Sequence, residues 1–127
     1  MSKRLSFTFA ALAAAAPFAQ AHHSAAMFDL EKVVTLTGTV TRFDYLNPHS
    51  WLYVNVRNED GSVTEWGFEL DAPPRLRRVG VSPTHWQAGD AVTVKTNPLH
   101  DGRPAGLLVG ARSENGKVFG NTEGIAP

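Results

Sequence analysis

The chain has 127 residues, with 12 basic and 12 acidic side chains, five histidines and no cysteine. This balanced charge argues against a surface for polyphosphates, and no nucleic-acid partner is expected. Without cysteine there are no disulfides, thiolate metal sites or thiol catalysis, so stability must come from packing and hydrogen bonds.

The first predicted element is a leader. Lys3 and Arg4 precede an apolar run over residues 5–16, whose roughly 12 residues fall short of the roughly 20 needed to cross hydrocarbon. Pro17 breaks the run, and Ala19-Gln20-Ala21 fits the small-residue cleavage pattern. Residues 1–21 are therefore expected to be a signal peptide that sends a soluble protein to the periplasm, with no membrane insertion after cleavage. A cut after Ala19 would expose Gln20-Ala21-His22, also a copper-type chelator, but it would place Pro17 where a small residue is needed. Losing Lys3 and Arg4 with the leader turns the neutral chain slightly acidic. What remains is the size of a single domain, expected to be monomeric.

After an N-terminal arm over residues 22–33, the pattern becomes short β-rich runs broken by Gly, Pro, Asn and Asp. The first run, from Val34, alternates apolar and polar residues as far as Val40. It then slips phase, so that Phe43 and Tyr45 fall on the other parity, which beside Gly38 predicts a bulged, bent strand. Asn47-Pro48-His49 breaks the chain. The second run, 51–57, puts Leu52, Val54 and Val56 on one face and Trp51, Tyr53 and Asn55 on the other. Asp60-Gly61 is a hairpin turn. The third run, 63–70, places Trp66, Phe68 and Leu70 on one face and Glu65 and Glu69 on the opposite one.

Residues 71–80 carry the parts of a short helix, with Asp71 near the cap, Pro73 and Pro74 in the first turn, Arg75, Arg77 and Arg78 toward the end, and Gly80 after it. Basic residues suit the negative helix end, so the arginines read as structural rather than as an anion site. A fourth strand starts at residues 89–94, a fifth at 105–112, and Asn115-Gly116 predicts a hairpin to a short partner at 117–119. Residues 121–127 are expected to form a flexible tail. Three strands, one short helix and two more strands is the order of an OB-fold, so the expected class is all-β with one short helix, a small five-stranded barrel over residues 34–120. A β-sandwich like that of small periplasmic copper carriers would not need a helix at that point.

In an OB-fold the ligand lies across strands two and three, between the loops that here span residues 44–50 and 97–104. Each contains an Asn-Pro step followed by a histidine, His49 or His100. Cleavage after Ala21 would make His22 the N-terminus, with His23 next. An N-terminal histidine offers its α-amine and ring Nδ1 to one ion, and a second imidazole from His49 or His100 completes a T-shaped nitrogen set suited to Cu(II). This resembles the histidine brace of copper oxygenases and periplasmic copper carriers. The candidate metal ligands are thus His22, His23, His49 and His100. Asn47, Trp51 and Tyr53 are candidate ligand contacts. Trp51 and Tyr53 offer a competing function, a metal-free module that docks a partner protein or small ligand on an aromatic strand face. His85 beside Trp86 reads as structural.

Catalysis is not expected. There is no Gly-rich phosphate loop, Gly-x-Ser-x-Gly elbow or His-Glu-x-x-His motif. Glu65 and Glu69 would lie about 13 Å apart along a strand, beyond the separation of a glycosidase pair. They read as solvated strand charges.

The His22-His23-Ser24 start, Phe28-Asp29, Gly38-Thr39-Val40, Asn47-Pro48-His49 with Trp51 after it, and Gly89-Asp90 before a Val-rich strand resemble a family of small exported bacterial proteins of unknown function. The resemblance spans nearly all of the chain after the leader. It implies no activity, but it adds weight to Asn47-Pro48-His49 as a site.

Overall fold

The computed structural model describes residues 25–127. The leader and the candidate ligands His22 and His23 lie outside the described residues. Among the described residues the strands and the helix with defined bounds are β1 (Val34–Asp44), β2 (Ser50–Arg57), β3 (Val63–Leu70), α1 (Pro73–Arg78), β4 (Ala91–Pro98), β5 (Ala105–Ser113) and β6 (Val118–Gly120). No helix among the described residues is long and apolar enough to cross a membrane.

The sheet order is β3-β2-β1-β4-β5-β6, and β3 also pairs with β5. In that extra pairing Gly67, Phe68 and Glu69 run parallel to Ala105, Gly106 and Leu107, which closes β1 to β5 into a barrel. With α1 between β3 and β4, this is the OB-like arrangement expected. The sixth strand extends the sheet beyond β5, after a turn in which Gly116 takes φ 87°.

Barrel closure needs a sharply bent first strand, and β1 supplies it in two ways. Its pairing with β2 shifts register between Val40 and Arg42, so Thr41 is the extra residue of a bulge. Past the bulge the parity reverses, and Phe43 turns inward to meet Trp86 edge-on at 5.0 Å. At Gly38 a Cβ would collide with the backbone carbonyl of Asn55, so glycine allows the close approach of β1 to β2.

The core joins Val40, Leu52, Val54, Phe68, Leu70, Val92, Val94 and Leu108 from the strands to Leu76, Val81 and Trp86 from the α1 segment. On β2 and β3 the inward residues Leu52, Val54, Val56, Phe68 and Leu70 are those predicted by alternation. In α1 the two prolines occupy the first positions, the arginines the last turn, and Gly80 follows with φ 82°. The capping residue is Ala72 rather than Asp71 and makes no side-chain cap bond. Asp71 instead pairs with Arg75 at 3.2 Å. Arg75, Arg77 and Arg78 are all exposed, consistent with a solvated helix end.

Both ends of the described segment are held more closely than their composition suggests. Phe28 is only 3% exposed and bridges to Leu99 in antiparallel fashion. Asp29 donates its N–H to the Pro98 carbonyl at 2.8 Å, and His100 donates to the Met27 carbonyl at 3.0 Å. Asn97 lies within β4, not in a loop, and its buried side-chain amide donates to the Lys32 carbonyl at 2.7 Å. Residues 121–127, read from the sequence as a flexible tail, pack along the barrel instead. Asn121 donates to the Val109 carbonyl, Lys95 Nζ donates to the Glu123 carbonyl at 2.8 Å, and Ile125 is buried.

Candidate functional site

The chemistry-bearing residues divide between two surfaces. The first is the outer face of β2 and β3. Trp51 and Tyr53 are half-buried there and stack with ring centroids 6.4 Å apart and 25° between planes. Gly67 opposes Tyr53 across the strands, and both rings lie over its bare backbone. Arg42 on β1 places its guanidinium 3.6 Å from the Tyr53 ring centre. The same guanidinium group pairs with Asp44 at 3.3 Å and Glu65 at 3.6 Å, while Thr41 donates to Glu65 at 2.8 Å. One face of Tyr53 is therefore already occupied by a cation held by two carboxylates.

The second surface is a cleft of about 290 Å³ whose lining includes Ala25, Phe28, His49, Glu69, Asp71 and Leu107. His49 comes from the loop between β1 and β2, where the Asn47–Pro48 peptide is cis. Buried Ser50 anchors this loop: its hydroxyl accepts from the Leu46 N–H at 3.2 Å, and its own N–H donates to the Asp71 carbonyl at 3.2 Å. The His49 side chain is 39% exposed, and its Nδ1 lies 3.1 Å from Glu69 Oε1.

Glu69 is 7% exposed, which corrects the reading of it as a solvated strand charge. The reason is non-local. Glu69 faces Trp51 on β2 and Leu107 on β5, so it sits in the closed part of the barrel with a strand on either side. Glu65, on the same face of β3, precedes the β5 pairing and is exposed. Burial raises the Glu69 carboxyl above its ordinary range; the neighbouring His49 opposes this and the Asp71 charge adds to it.

Of the candidate site residues that the structure describes, only His49 lines this cleft. Asn47 is exposed on the same loop and lies outside the lining. His100 is exposed and borders a separate depression with Asp29, Lys32, Trp66 and Arg103. The docked arm thus contributes to both hollows, Phe28 to one and Asp29 to the other. Among the described residues no three His, Asp or Glu side chains form a group able to hold a metal by themselves. His85 packs edge-on to Trp86 with centroids 4.5 Å apart. Its Nε2 is buried without a hydrogen-bond partner, and burial, then the charge of Lys117, lowers its pKa.

Fold and site together define a small OB-like barrel with a histidine–carboxylate cleft beneath its N-terminal arm. The chain belongs to a family of unknown function, DUF6152, whose model matches residues 10–110. No curated protein and no solved structure matches it.

Proposed function

We propose that this protein is exported to the periplasm, loses residues 1–21, and binds Cu(II) without catalysing a reaction, using the new N-terminal His22 with His49, and His23 nearby. One observation carries the reading: Ala25 lines the same cleft as His49. Three chain steps lead from His22 to Ala25, so a donor on His22 starts no more than about 11 Å of chain from that wall. The arm is not a free tether beyond that point, because Phe28 is buried and Asp29 is bonded to Pro98.

An N-terminal amine, its own imidazole and a second imidazole supply the nitrogen donors that Cu(II) favours. Glu69 and Asp71 add negative charge beside the cleft, which favours a cation over an anion. His100 borders the other hollow and is the weaker candidate. The partner implied is an exported protein that delivers or takes the ion. The alternative function, docking on Trp51 and Tyr53, is disfavoured because Arg42 already covers the Tyr53 ring.

Calorimetric titration of Cu(II) into protein beginning at His22 tests the proposal. One-to-one binding that weakens at least tenfold in His49→Ala, and little in His100→Ala, is expected. Equal affinity in His49→Ala would reject this ligand set.

A further inference from the structure

We infer that Glu69 is a positioning residue that holds His49 in its Nδ1–H tautomer, so that Nε2 is the only nitrogen of His49 able to bind a metal ion. The geometry is the 3.1 Å contact between His49 Nδ1 and Glu69 Oε1. An ionised carboxylate offers only lone pairs, so at this distance it favours a proton on the ring nitrogen that faces it. In the neutral ring the other nitrogen, Nε2, then holds the free lone pair.

The placement of Glu69 makes this control strong. Its carboxylate is buried between β2 and β5, where an electrostatic contact is less screened than in water. The loop that carries His49 is held by the Ser50 bonds to Leu46 and Asp71. A carboxylate behind a metal-binding imidazole also raises the basicity of the ligand and fixes ring orientation, with effects on metal affinity of about 10–100-fold. The metal consequence rests on the copper reading above. The tautomer does not.

The test is therefore made first without metal. Long-range nitrogen–proton correlation spectra of the ¹⁵N-labelled protein beginning at His22, recorded at a pH where imidazole is neutral, report which nitrogen of His49 is protonated. Wild type is expected to show Nδ1–H. Glu69→Gln, whose amide can accept from Nδ1–H or donate to a bare Nδ1, should weaken the preference without abolishing it. Glu69→Leu should shift His49 toward Nε2–H while the spectra of the other histidines stay unchanged. Nε2–H in wild type, or Nδ1–H undisturbed in a folded Glu69→Leu, would overturn the inference. If Glu69→Leu does not fold, the wild-type spectrum still decides it, because Nε2–H there would overturn the inference and Nδ1–H, the tautomer that the facing carboxylate favours, would support it.

With copper added, affinity should fall about 10–100-fold in Glu69→Leu and far less in Glu69→Gln. An Nδ1–H tautomer in a protein that binds no copper would leave the positioning role standing and reject only the copper function.

Discussion

His49 and Glu69 are joined by a 3.1 Å contact between a half-exposed imidazole and a buried carboxylate. The two residues come from different parts of the chain, one from the loop after β1 and the other from the end of β3. What brings them together is the antiparallel pairing of β2 with β3, in which Ser50 faces Leu70 and Trp51 faces Glu69; the parallel closure of β3 on β5 then walls in Glu69. The arm completes the enclosure with Ala25 and Phe28.

That closure separates two glutamates of the same strand face. Glu65→Ala should change stability by no more than about 0.5 kcal/mol, as exposed substitutions usually do. Glu69→Ala removes the ion-pair contact with His49 and leaves space, offset in part by relief of a buried charge, for a net loss of about 1 kcal/mol. Urea unfolding of the two variants checks the ordering.

Gly38 is required by backbone proximity. A methyl group there meets the Asn55 carbonyl, which belongs to the adjoining strand and cannot rotate away. Gly38→Ala should cost about 1–3 kcal/mol, whereas Thr39→Ala, at an exposed position of the same strand, should lie within about 0.5 kcal/mol of wild type. Denaturant midpoints at constant m-value would show the difference.

Phe28 fastens the arm. Its replacement by Ala empties a buried site against Leu99 and should cost about 3 kcal/mol. Under conditions where the variant remains folded, copper affinity should also fall, because the arm no longer delivers its donors to His49 at high effective concentration. Unfolding curves and a copper titration on the same preparation measure both effects.

His85 predicts a pH dependence. Its pKa is lowered in the folded protein by burial and by Lys117, so the unfolded chain takes up the proton first as pH falls. The His85 contribution is fully present above the ordinary histidine pKa of about 6.5 and is lost as pH drops through the folded value. His85→Phe should flatten the stability profile below about pH 6.5 relative to wild type. Thermal or urea unfolding across that range provides the comparison.

The barrel was legible wherever its signals are local. The phase slip after Val40 marks the bulge, alternation names Leu52, Val54, Val56 and Phe68 as inward, and the proline–arginine–glycine order marks α1. His49 was legible from its Asn-Pro step. Glu69 was not, because parity alone cannot distinguish it from Glu65; the difference is the neighbouring strand β5, some forty residues away in sequence. The docked arm and residues 121–127 were missed for the same reason. Each is held by backbone partners on β4 or β5, or in the loop between them, and short polar segments carry no periodicity that reveals such bonds.

The most direct measurement is a Cu(II) titration, with electron paramagnetic resonance, of protein cleaved to begin at His22, beside the same protein extended by one N-terminal residue. The account predicts submicromolar one-to-one binding with nitrogen couplings in the first, lost on extension because the α-amine no longer belongs to His22. Weak binding, equal in the two proteins, would contradict it.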